Sequence, residues 1–276
     1  GGQRAMSAVF DLLRLSTVSL DVAVAHRGTA QGIAQRQQRR LAQLLDVALR
    51  ESRLYQELLP PGCSARTPLQ QLPVVTRGQL MERFDDWVTD PRLKLDELRA
   101  FTADPERIAE PWLGRYMVWE SSGTTGQPGM FVQDAQAMAV YDALEALRRS
   151  APRPLAHWMD PLQLAERYAF VGATGGHFAS LVSLRRLCGI NPWLAASTRS
   201  FSIQAPTAEL VQSLNDFAPS VLITYPTVAA LLAELARSLE GGGESAQNFK
   251  QNQPLAQVEQ ARVAPQTVAA YLTRCL

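Results

Sequence analysis

The run Ser121-Ser122-Gly123-Thr124-Thr125-Gly126-Gln127-Pro128-Gly129 restricts what this chain can build more than any other stretch. It directly follows Tyr116 to Trp119, an apolar and aromatic run that reads as a strand. Gly123, Gly126 and Gly129 let the backbone take conformations closed to other residues and approach a ligand closely. The hydroxyls of Ser121, Ser122, Thr124 and Thr125 stand beside the N–H groups so released, a combination suited to phosphate oxygens. Composition alone would also allow a plain hairpin turn, although such a turn needs only one or two of these residues and this run has nine. No Lys-Ser/Thr pair follows the last glycine, so the run is not a Walker A loop, and no GxGxxG fingerprint occurs.

The first hundred residues read as mostly helical. Leu41, Leu44, Leu45, Ala48 and Leu49 share one helix face, extended by Tyr55, Leu58 and Leu59 until Pro60-Pro61-Gly62 stops it. Thr76 and Gln79 are spaced as a capping box, and Met81, Phe84 and Trp87 give the helix behind it an apolar stripe. From about residue 112 brief strand-like runs (116 to 119, 168 to 171 and 221 to 225) alternate with helical stretches (135 to 149, 177 to 188, 207 to 217 and 227 to 239). That alternation predicts an α/β fold: a helical N-terminal segment, then a mainly parallel sheet flanked by helices. The expected divisions are residues 1–100, 101–244 and 245–276, the last a Gln- and Asn-rich linker followed by a helix with Val268, Tyr271, Leu272 and Cys275 on one side.

Charge and cysteine content exclude several classes. With 27 basic against 26 acidic residues, no global field favours nucleic acid or an anionic membrane. Arg36, Arg39 and Arg40 lie among glutamines and read as a solvated helix face. Cys63, Cys188 and Cys275 form no CxxC pair, which argues against a zinc site or disulfide framework and for a cytoplasmic setting. Asp11 and Arg14 interrupt the first apolar stretch, which does not suit a secretory leader, and no run reaches membrane-spanning length. His26 and His157 read as structural. Trp112, Trp119, Trp158 and Trp193 read as core or pocket wall, and Cys188 as a small buried apolar residue.

The order Ser-Ser-Gly-Thr-Thr-Gly-x-Pro-Gly closely resembles the phosphate-binding signature of the adenylate-forming (AMP-binding) superfamily. Four further stretches resemble its phenylacetate–CoA ligase-like branch: Leu41 to Leu59 with its Ser-x-x-Tyr segment at Ser52 to Tyr55, Leu69 to Leu80, Gly172-Ala173-Thr174-Gly175-Gly176-His177, and Tyr225-Pro226-Thr227. The resemblance spans roughly residues 35 to 240. It implies ATP held by Ser121, Ser122, Gly123, Thr124, Thr125, Gly126, Gln127 and Gly129, and an acyl pocket at Gly175, Gly176, His177 and Tyr225. Mg2+, a carboxylic acid that is aromatic in the branch named, and coenzyme A or a carrier-protein thiol follow as partners, with a homodimer compatible. The implied activity is that of an AMP-forming acid–thiol ligase. The carboxylate attacks the α-phosphate, pyrophosphate leaves, and a thiol then takes the acyl group.

Two departures set an alternative beside it. Gln127 stands where the family usually has Lys, which removes a charge directed at pyrophosphate. Beyond Gly242-Gly243-Glu244, the family's magnesium, adenine and ribose segments and its C-terminal catalytic Lys are not recognisable. The sequence therefore resembles the N-terminal part of an adenylate-forming fold, incomplete relative to the whole and with no catalytic residue assignable. The alternative is a non-catalytic relative that binds nucleotide or a partner.

Overall fold

This computed structural model describes residues 9–121, 128–149 and 166–240. The chain forms two compact units, Gly1–Ser150 and Ala151–Leu276. Ser122, Gly123, Thr124, Thr125, Gly126 and Gln127 lie outside the described residues, as do His157, Trp158 and everything beyond residue 240.

The first unit begins with α1 (Leu12–His26) and α2 (Ala30–Glu51), capped by the side chains of Asp11 and Thr29. Arg36 and Arg40 of α2 both bond Asp21 of α1. Part of the basic cluster therefore ties two helices together, where the sequence suggested only a solvated face. The helix expected to run unbroken to Leu59 is interrupted at Ser52, which N-caps α3 (Arg53–Leu58). The cause is tertiary. Ser52 is buried, and its hydroxyl donates to the carbonyl of Trp87 at 2.8 Å.

The expected capping box is present. Gln79 N–H donates to Thr76 Oγ1, Thr76 N–H donates to Gln79 Oε1, and together they open α4 (Arg77–Glu82). A break at Arg83 separates α4 from α5 (Phe84–Trp87), and α6 (Leu95–Thr102) follows. Met81, Phe84, Leu98 and Phe101 then form one core with Tyr116, Val118 and Met130.

Tyr116 and Val118 bring into that core a hairpin of β1 (Met117–Glu120) and β2 (Met130–Gln133), paired antiparallel. This corrects the expectation that the strand before the glycine-rich run joins a parallel sheet. The run connects two antiparallel neighbours, and β2, hidden directly behind Gly129, was not anticipated. On the hairpin's other face, the Trp119 ring meets Tyr141 of α7 (Ala135–Arg149) edge-on at 5.8 Å. Leu15, Val18 and Val22 of α1 pack against Ala139, Val140 and Ala143 of α7.

The second unit does contain a parallel sheet, of β3 (Tyr168–Gly172), β4 (Thr198–Ser202) and β5 (Val221–Thr224) in the order β4-β3-β5. The chain is thus mixed α/β, with a small parallel sheet and a separate antiparallel hairpin among the described residues. Between β3 and β4 run α8 (Ala179–Ile190) and α9 (Pro192–Ser197). α10 (Thr207–Phe217) leads to β5, and α11 (Pro226–Glu240) follows it. Val171 packs with Leu210 of α10 and with Val228 and Leu231 of α11. Trp193 is 73% exposed, too exposed for the core position expected of it. Asn191 fixes its backbone by accepting from the N–H groups of Trp193 and Leu194.

Candidate functional site

The hairpin closes at a neck made by Ser121 and Gly129. Ser121 N–H donates to the Gly129 carbonyl at 2.9 Å, and Gly129 N–H donates to Ser121 Oγ at 2.8 Å. Arg77 Nη1 lies 3.4 Å from the same Oγ. A Cβ on Gly129 would sit 3.0 Å from Arg77 Cδ and 3.1 Å from the Phe131 ring. The glycine therefore leaves the space in which the arginine stem lies. Arg77 occupies the first position of α4, held by the Thr76–Gln79 box, so a local cap brings a guanidinium to the Ser121 hydroxyl at the neck. Just below the neck, Glu120 accepts a hydrogen bond from Thr102 of α6, which anchors β1 to the core.

Among the expected loop residues, the structure thus brings together Ser121 and Gly129. Sequence reasoning missed Arg77. Its local signal was its place one residue after a strong N-cap, but its nearness to a residue 44 positions away is not a local property.

In the second unit, β3 leads to β4 on one side, and β4 leads past β3 to β5 on the other. Where the order reverses, between β3 and β5, a parallel sheet opens a crevice at its carboxyl ends, the usual ligand position in such folds. The two segments reaching that point are Gly172 to His177 and Tyr225 to Thr227, those singled out in the sequence. They are linked. Thr224 Oγ1 donates to the Val171 carbonyl at 2.7 Å, and the Tyr225 and Ser180 hydroxyls are 3.4 Å apart. Gly175 is exposed and Tyr225 half-buried, while the His177 side chain is only 2% exposed. The histidine is therefore packed beneath the loop rather than presented at its surface.

A cleft of about 730 Å³ in the first unit was also not foreseen. Phe84, Leu93 and Met130 lie in its apolar wall, and Glu51, Asp90, Arg115 and Asp134 carry its charges. Asp90 and Asp134 are both hydrogen-bonded. Asp90 takes Arg92 at 2.7 Å and the Tyr116 hydroxyl at 2.8 Å, and Asp134 accepts from Ala137 N–H. Arg92 beside it holds the Asp90 carboxyl well below the usual carboxylate range. Burial, with the bond to Asp90, pushes the Tyr116 phenol up. In the second unit, burial likewise raises the Cys188 thiol, which keeps it protonated and poorly nucleophilic.

Among the described residues no group of three His, Cys, Asp or Glu side chains is placed to hold a metal ion. Magnesium that bridges phosphates is commonly held by only one or two carboxylates besides the nucleotide. None of the described helices is long and apolar enough to cross a membrane. Comparison with protein-family models, curated proteins and solved structures finds no match to this chain.

Proposed function

We propose that this chain carries the nucleotide-binding part of an acid-activating enzyme of the adenylate-forming kind, resembling the phenylacetate–CoA ligase-like branch. The observation that carries the reading is the clamped neck, at which Arg77 meets the ends of a connection rich in glycine and hydroxyl groups. Backbone N–H groups and hydroxyls cradle the β- and γ-phosphates. Arg77 supplies the positive charge that Gln127 does not. A carboxylate then attacks the α-phosphate, the bond to pyrophosphate breaks, and the acyl-adenylate is left for a thiol. Magnesium, when bound, offsets the charge that gathers on the leaving pyrophosphate. The crevice at Gly175, Gly176 and Tyr225, with His177 packed below, is the proposed acid pocket.

Gln127 favours a second reading, in which the chain binds nucleotide without adenylating an acid. Titration calorimetry with ATP and Mg2+, paired with pyrophosphate exchange over aryl and short aliphatic acids, separates the two. Binding with exchange supports the ligase, and binding without exchange supports the non-catalytic relative. No ATP binding at millimolar concentration sinks both. Arg77→Ala is expected to weaken ATP roughly tenfold, about the worth of one charge-assisted contact, without lowering the melting temperature. Unchanged affinity would remove Arg77 from the site.

A further inference from the structure

The cleft of about 730 Å³ in the first unit has no part in nucleotide or acid binding as proposed, and its volume is that of a small-molecule site. Its wall is apolar and aromatic. Phe84 and Tyr116 are buried in it, and the half-buried Trp87 meets Phe84 edge-on at 5.8 Å. Leu44 of α2 belongs to the same lining and is 65% exposed, an apolar side chain left open beside the cleft.

The charges on the lining are unequal. Among the described residues Glu51, Asp90 and Asp134 supply carboxylates, and Arg115 supplies the one cation. Arg92 neutralises Asp90 at 2.7 Å. Asp134 has no such partner among the described residues: one oxygen accepts the Ala137 N–H at 2.9 Å, at the start of α7, and no ion pair accompanies that bond. Arg50 lies 3.7 Å from Glu51, both of them exposed, a pairing worth little in water. The Arg115 guanidinium is engaged with an aromatic face, 5.2 Å from the centre of the Tyr116 ring.

We propose that this cleft binds a small organic cation, a protonated amine on an aryl or branched alkyl body. The body covers the apolar wall, and the ammonium is drawn to Asp134, with Glu51 adding to the field. Aromatic rings favour a cation as well as apolar surface, and the surplus of carboxylates sets the sign of the head group. An acid of the same shape would meet like charge, and an uncharged analogue would gain nothing from Asp134. Nucleotide and carboxylic acid play no part in this binding, so it stands or falls separately from the ligase reading.

Titration calorimetry of the whole chain with 2-phenylethylamine at neutral pH, without ATP, is expected to give a dissociation constant on the order of hundreds of micromolar. 2-Phenylethanol keeps the ring and lacks the charge, and should bind at least about fivefold more weakly. Asp134→Asn should weaken the amine about fivefold and leave the alcohol unchanged, because Asn still accepts the Ala137 N–H and only the charge is lost. Arg115→Gln should strengthen the amine about twofold by removing the one opposing charge, a gain that misfolding cannot mimic. Thr89→Trp, at an exposed position on the lining, should fill the cleft and abolish binding with unaltered circular dichroism. No binding at millimolar amine overturns the proposal. So do equal affinities for amine and alcohol, amine binding that Asp134→Asn or Thr89→Trp leaves intact, or an Arg115→Gln variant that binds the amine no better.

Discussion

Ser52 shows how one hydroxyl settles the course of a helix. It is 1% exposed, caps α3 and donates to the carbonyl of Trp87, the last residue of α5. Ser52→Ala would leave that carbonyl and the Tyr55 N–H short of a partner, at a cost of about 1–2 kcal/mol measured by urea denaturation. Loss of less than a few tenths would mean that water replaces the hydroxyl. The break was illegible in the sequence because the local pattern from Leu41 to Leu59 favours one continuous face, and the competing partner lies 35 residues away. The Thr76–Gln79 box, closed within three residues, was legible for the same reason in reverse. Asp90 sets a pH dependence. Its folded carboxyl titrates below the unfolded value near ~3.9, so its stabilisation is complete above that pH and is lost as pH falls toward the folded value. The melting temperature should therefore decline below about pH 4 more steeply in the native chain than in Asp90→Asn. Identical acid profiles would show that the Arg92 and Tyr116 contacts do not hold in solution.

At the scale of elements, β3 was read correctly because it is buried along its whole length and appears as an unbroken apolar run. β4 was not. As Thr-Arg-Ser-Phe-Ser it is largely polar and partly exposed, and only its pairing with β3 identifies it as a strand. The hairpin was half legible. The glycine-rich run was recognised as a loop, but its antiparallel closure depends on a four-residue β2 too short to announce itself. The carboxyl end of β3 also makes a demand of its own. A Cβ on Gly172 would come within 2.5 Å of Phe170 Cζ, and Phe170 is 1% exposed, so its ring has nowhere to swing. Gly172→Ala is expected to cost about 1–3 kcal/mol through overpacking and to disturb the Thr224–Val171 bond that leads into Tyr225. Wild-type stability in that variant would mean that the sheet yields more easily than a packed core.

For the molecule as a whole, the deciding fact is that each compact unit has its own core. The first gathers Met81, Phe84, Leu98 and Phe101, and the second Val171, Leu210 and Val228. Unfolding is therefore expected to depart from a two-state transition. In scanning calorimetry Ser52→Ala should shift one component and Gly172→Ala another. A single sharp transition moved equally by both would show that the units melt as one. The two-unit division was only partly legible. The change of pattern near residue 112 marks where strands begin, whereas Leu98 and Phe101 of the helical segment share a core with Val118 and Met130 of the hairpin.

Ser121 both closes the neck and faces Arg77, and its oxygen already serves as acceptor to the Gly129 amide. An anion that takes this hydroxyl as a donor leaves its lone pair on the Gly129 amide and polarises the oxygen, so the bond that holds the hairpin's ends together strengthens. Occupancy and closure are then thermodynamically linked, and the Gly129 amide becomes their reporter. Its hydrogen-exchange rate should change on saturation with nucleotide, while amides deep in β1, such as that of Val118, keep theirs.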